Sequence, residues 1–214
     1  MESKSKIIVV PGDIVAEDRK KTGSHVFVEN GKIYSDVLGL SYPDSPIAGV
    51  VPLNGRYVPR ENDLVVGIVS METYSGYVVG INTIYSSYIS KDAVRSRLQR
   101  GSVISAKVSD VNEMHEASLI DIRVFYGGRI FKISPVKVPR VIGKNNSMLN
   151  VLKIGTGSNI VAGRNGWIWA KDGNLQLLGV AIEKIENEAH LSNLTSSMEV
   201  FLKEENEKLK GKGE

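Results

Sequence analysis

The sequence predicts a multidomain, mainly β chain that closes with an α+β unit, and three observations carry that prediction. Up to residue 126, short apolar or alternating runs are punctuated by Gly, Pro and Asn-Gly, the pattern of strands and tight turns. Beyond it the apolar spacing shifts toward three and four, as on amphipathic helices. Charge changes with the period: residues 122–171 hold no Asp or Glu and nine basic residues, so a chain of net charge +3 is −6 elsewhere. A one-sided positive field is the electrostatic footprint of a polyanion partner.

Residues 1–57 read as a small N-terminal β domain. Residues 7–10 form a short apolar strand stopped by Pro11-Gly12, and residues 26–29 and 32–35 flank Asn30-Gly31. That pair tolerates positive φ and is the strongest short hairpin signal. Pro43, Pro46, Gly49, Pro52 and Gly55 keep residues 43–55 in short strands and loops. So small a unit is expected to lean on a neighbour for stability.

Residues 58–126 read as five strands with one helical turn. Residues 63–71 are β-branched around Gly67, residues 77–82 place Tyr77, Val79 and Ile81 on one face, and residues 85–89 are a short aromatic strand. A helix-permissive stretch at 91–99 precedes strands at 103–111 and 118–124. Five strands with a helix after the third is the order of an OB-fold barrel, whose open face and loops hold single-stranded nucleic acid. Gly67-x-Val69, the aromatic strand and residues 101–108 resemble the OB subtype named after ribosomal protein S-one. Candidate stacking residues are Tyr77, Tyr85 and Tyr88. Candidate phosphate contacts are Arg95, Arg97, Arg100, Lys107 and Arg123.

Residues 127–214 follow the order β, α, glycine loop, α, β, β, α of a KH domain, with a helical extension. The strands are residues 129–133, 158–162 and 166–170; the helices are 147–154 and 175–189, and Pro135 and Pro139 are expected to bracket an extended link. A KH loop lets backbone amides at a helix start approach RNA phosphates. Here it reads Gly143-Lys144-Asn145-Asn146, with Asn in place of a second glycine, and Asn tolerates the left-handed conformation. Arg140, Gly143, Lys144 and Asn145 are the candidate contacts. The competing reading is architectural, with Gly143 ending one helix and Asn146 or Ser147 capping the next. For Gly163-Arg164-Asn165-Gly166, between two strands, the architectural reading is preferred, and Trp167 and Trp169 read as core or interface residues. Residues 194–209 are an amphipathic segment ending in a charge-balanced tail, read as a solvated terminus.

Composition excludes much chemistry. There is no cysteine, hence no disulfide, thiolate nucleophile or Cys-ligated zinc, and His25, His115 and His190 lack metal-binding spacing. No P-loop or Gly-x-Gly-x-x-Gly follows a strand. No catalytic residue, metal or cofactor is expected. Without an apolar run of about twenty residues no membrane span is expected, and without a signal-like start the expected location is the cytoplasm.

With the units in order, the chain resembles the RNA-binding cap subunit family of the archaeal exosome, called ribosomal RNA processing protein four. The matching residues are Pro11-Gly12-Asp13, Tyr57-Val58-Pro59-Arg60, the run from Ile133 to Lys144, and Gly163-Arg164-Asn165-Gly166. The resemblance implies a non-catalytic subunit, three copies of which cap a ring of RNase PH-like proteins. Its N-terminal domain would dock on the ring, and its barrels would guide RNA 3′ ends to the pore for 3′-to-5′ degradation. Alternatives are a stand-alone RNA chaperone, a transcription factor resembling Nus factor A, or a polynucleotide phosphorylase fragment. The last two differ from this chain in the order and number of their domains.

Overall fold

The computed structural model describes residues 7–17, 20–94, 96–191 and 193–211, with side chains to 208. It divides into two compact units, residues 1–55 and 56–214. Among its described residues the first unit holds eight short strands: β1 (Ile7–Val9), β2 (Ile14–Ala16), β3 (Lys21–Thr22), β4 (Val26–Glu29), β5 (Lys32–Ser35), β6 (Gly39–Ser41), β7 (Ile47–Ala48) and β8 (Val50–Pro52). They form sheets β1-β6-β8 and β2-β5-β4 and a parallel β3-β7 pair. Asn30 and Gly31 both take positive φ, 48° and 78°, so β4 and β5 join through the tight turn the sequence announces. Among the described residues only Val9, Ile33, Ala48 and Val50 are buried apolar side chains here, which is a thin core.

In the second unit, β9 (Leu64–Glu72), β10 (Gly76–Gly80), β11 (Ser87–Ser90), β12 (Val103–Val111) and β13 (Ala117–Phe125) close into a barrel of order β10-β11-β13-β12-β9. β11 and β13 are parallel and every other pair antiparallel, which is OB-fold topology. Alternation sends Val65, Val69, Tyr77, Val79, Ile89, Ile104, Ala106, Val108 and Leu119 inward. Among the described residues of 91–99 the helical part is a 3-10 turn over Lys91–Ala93, capped by the Ser90 hydroxyl. Leu98 nonetheless reaches the core, its N–H donating to the buried Tyr77 hydroxyl at 3.3 Å.

The remaining elements are β14 (Arg129–Lys132), α1 (Val138–Ile142), α2 (Ser147–Thr156), β15 (Asn159–Ala162), β16 (Trp167–Lys171), α3 (Leu175–Glu188) and α4 (Leu194–Gly211), with an antiparallel sheet β14-β16-β15. This is the KH order. The link at Pro135–Pro139 is helical rather than extended: Pro135 starts a 3-10 turn and Pro139 sits in the first turn of α1. Proline forfeits no helical hydrogen bond there. The amphipathic segment at 194–209 packs its apolar side as part of α4. Leu194, Met198 and Leu202 of α4 are buried with Met148, Leu152, Leu178 and Ile185. None of the described helices is long and apolar enough to cross a membrane.

The barrel and KH portions share a packed seam. Phe125 and Trp169 stack with centroids 4.0 Å apart and planes 7° off parallel, over Val66. The Asn165 amide enters where the β9–β10 ladder stops at Ile68 and Gly80. It donates to the carbonyls of Val66 at 2.7 Å and Ile81 at 2.9 Å and accepts from the Val66 N–H at 3.2 Å. Gly163 must be glycine, since a Cβ would lie 2.6 Å from the Val66 nitrogen. Tyr57 donates to Asp63, which pairs with Arg164 at 3.5 Å. Burial first, and the Asp63 charge second, push the Tyr57 phenol well above its usual range, so it stays a donor.

Candidate nucleic-acid interface

An OB barrel offers ligands the outer face of its second and third strands together with the adjoining loops. On that face Met71, Val78 and Tyr88 stand in register across β9, β10 and β11. Tyr88 is half-buried because its ring lies over Gly76, where a Cβ would meet the hydroxyl at 2.6 Å. Tyr85, in the loop before β11, packs against His115 with centroids 4.9 Å apart. His115 sits at φ 60° in a loop that Asn112 organises, its side-chain oxygen accepting from the N–H groups of Met114 and Glu116. Tyr77 is a correction. Only 3% exposed, it points into the barrel with Val79 and Ile81 and has no ring face for a base.

The cationic candidates fall into separate groups. Arg97 donates to Glu72 through Nη2 at 2.9 Å and Nε at 3.2 Å, and Arg100 is exposed beside it. The Glu72 hydrogen bond, then its charge, raises the Arg97 pKa further. Arg95 lies outside the described residues. Lys107 is half-buried on β12, in register with Ile120 and Leu64. Arg123 stands five residues along β13 from Ser118, the neighbour of Tyr88, with its guanidinium 5.9 Å from the Phe125 ring. It belongs to the seam end of the barrel rather than to the tyrosine face.

In the KH portion Gly143, Lys144 and Asn145 form the loop after α1, and Arg140 stands in α1 three positions before it. Arg140, Lys144 and Asn145 are exposed, and the first turn of α2 carries no acid. Asn145 and Asn146 take φ of 51° and 62°, so two asparagines hold the left-handed turn without a second glycine. Asn146 makes no side-chain cap on α2, and Ser147 is the helix's first residue. Gly143 does close α1, its N–H donating to the Pro139 carbonyl at 2.9 Å. Its backbone lies at φ 73°, ψ 171°, and a Cβ would sit 2.6 Å from the Met148 nitrogen. Gly143→Ala is therefore expected to lower stability by about 3 kcal/mol, from the strained backbone plus the clash. A shift of the urea unfolding midpoint tests it; an unchanged midpoint means that the loop relaxes freely.

Of Gly163-Arg164-Asn165-Gly166, Gly163 and Asn165 are buried in the seam, Gly166 is buried against Ile133 and Pro135, and the Arg164 N–H donates to the Leu64 carbonyl. Three residues near the barrel face escape sequence reasoning: Tyr74, Lys91 and Glu72. Tyr74 is 98% exposed in the β9–β10 turn, and Lys91 holds its ammonium 5.8 Å from that ring. The only signal was an aromatic inside a Thr-x-Ser-Gly turn. Among the described residues no three His, Cys, Asp or Glu gather as for a metal.

Comparison with known proteins agrees with this arrangement. A family model described as the exosome RNA binding protein RRP4 N-terminal domain matches residues 6–54, and a KH domain model matches residues 128–176. The exosome complex component Rrp4 of Methanosarcina mazei is 36% identical, over 97% of this chain and 85% of its own length. That of Methanosarcina barkeri is 39% identical, over 96% and 85%. That of Pyrococcus furiosus is 36% identical, over 96% and 86%. A crystal structure described as that of an exosome complex RNA-binding protein aligns at a TM-score of 0.64 and 31% identity, covering 72% of this chain and 98% of the other.

Proposed function

This chain belongs to the Rrp4 family of exosome components, and on that premise we propose how it acts. It is a non-catalytic, RNA-binding subunit, three copies of which cap a six-membered ring of RNase PH-like proteins and pass single-stranded RNA 3′ ends to the pore. The observation that carries this reading is the fusion of an OB barrel to a KH unit through one packed seam. Two nucleic-acid-binding modules held at fixed relative orientation form a guide rather than a reaction centre. Positive charge in 122–171 without a single acid supports contact with phosphates, which accepts any sequence.

Ring docking falls to the N-terminal unit. Its thin core leaves Ile8, Val28, Leu38 and Val51 at 67, 57, 50 and 47% exposed, apolar surface that a docking partner can cover. The test is the native mass of the complex that co-purifies with the protein from its own cells, with RNA decay assayed with and without phosphate. Three copies on a six-membered ring, degrading RNA only when phosphate is supplied, is the expected result. A monomer that binds single-stranded RNA alone overturns the cap reading and favours a chaperone.

A further inference from the structure

The tip of the β9–β10 hairpin is built more firmly than a connecting turn requires. The Thr73 N–H and hydroxyl both donate to the Gly76 carbonyl, at 2.8 and 3.0 Å. The Gly76 N–H returns to the Thr73 hydroxyl at 3.1 Å, and the Lys91 N–H donates to the Ser75 carbonyl at 3.1 Å. The turn is thereby tied to itself and to the 3-10 turn after β11. What it presents is Tyr74, with nearly its whole ring in water.

One exposed aromatic means little alone; its surroundings carry the argument. The Lys91 ammonium lies 5.8 Å from the ring centroid and 3.9 Å from Glu72, whose other oxygen takes Arg97. Glu72, Arg97, Gln99 and Arg100 line a shallow hollow of about 350 Å³ beside this turn. Lys91, Arg97 and Arg100 set three positive charges against Glu72 and the neighbouring Asp92, leaving a positive balance. Glu72 spans two of the cations and holds them in place. An exposed flat ring on a tied turn, beside cations paired to one carboxylate, matches one nucleotide, with its base against the ring and its phosphate against the ammonium and guanidinium groups. Below the tip, the Met71, Val78 and Tyr88 row continues the same outer face, so a strand crossing the barrel has a second ring to meet.

We propose that Tyr74 stacks one base of single-stranded RNA while Lys91, with Arg97, takes the adjoining phosphate. The site rests on the RNA-guiding role above and extends the barrel face outward to the hairpin tip. Its contacts are to a base face and a phosphate, so it does not read sequence.

The test compares the full chain with Tyr74→Ala and Tyr74→Phe at one fixed salt concentration. The probes are a fluorescently labelled oligoadenylate and an abasic oligomer of equal length, which keeps the phosphates and lacks the bases. Tyr74→Ala is expected to weaken oligoadenylate binding about tenfold and leave abasic binding unchanged, with Tyr74→Phe close to the parent protein. Since the residue is almost wholly exposed, neither substitution threatens folding. Parent-like oligoadenylate binding by Tyr74→Ala overturns this site alone, as does an equal loss on both oligomers. A parent protein that binds neither oligomer overturns the site and the RNA-guiding role together.

Discussion

Asn165→Ala is expected to cost about 4 kcal/mol of stability and to loosen the barrel from the KH portion. The Asn165 side chain is fully buried and serves two backbone segments, at Val66 and Ile81, that the β9–β10 ladder no longer reaches. Truncation would strand one N–H and two carbonyl groups in a dry seam, each costing about 1–3 kcal/mol. A carboxamide suits the task, because the site needs two donors and one acceptor from a single side chain. Asn165→Asp should not rescue it, since a carboxylate would face two carbonyls with nothing to donate. The protein's two tryptophans, Trp167 and Trp169, both pack at this seam, so intrinsic fluorescence during urea unfolding reports on it directly. A midpoint unchanged from the parent protein would falsify the assignment of Asn165 as the clasp.

That clasp shows where sequence reading stops. The barrel and KH orders were legible because strand and helix periods and turn residues are local signals, and Asn30-Gly31 and Tyr77-x-Val79-x-Ile81 each act within a few positions. Tyr77 carried its own correction: a residue in phase with Val79 and Ile81 shares their buried face, so its assignment as a stacking platform conflicted with the period that defined the strand. Asn165 bonds a residue 99 positions away, and no local pattern announces such a partner. The helix expected at 91–99 failed for the opposite reason. Its residues permit a helix, but Leu98 is drawn into the barrel under the Tyr77 hydroxyl, and tertiary packing overrode propensity. Lys91 joins Glu72 and Tyr74 only because the β9–β10 turn and the 3-10 turn adjoin at one end of the paired strands β10 and β11.

Removal of residues 194–214 is expected to abolish cooperative unfolding of the KH portion. The segment reads as amphipathic in sequence: Leu194, Met198 and Leu202 recur every fourth residue and form the face that α4 lays on α2 and α3. Leu202 packs over Gly155, where an added Cβ would meet it at 2.6 Å, and Asn206 donates to the Gly155 carbonyl at 2.7 Å. Three fully buried side chains at about 2 kcal/mol each give about 6 kcal/mol, comparable to the whole stability of many small domains. Exposing Met148 and Leu152 to water adds to that loss. The single change Leu202→Ala isolates the packing contribution from the loss of the segment, and is expected to cost about 3 kcal/mol through the cavity it leaves. Urea denaturation followed by far-UV circular dichroism distinguishes the outcomes. If the truncated chain unfolds at the parent midpoint, α4 is a passive extension. If it loses its transition while Leu202→Ala keeps a shifted one, the KH fold in this protein requires its C-terminal helix to complete its core.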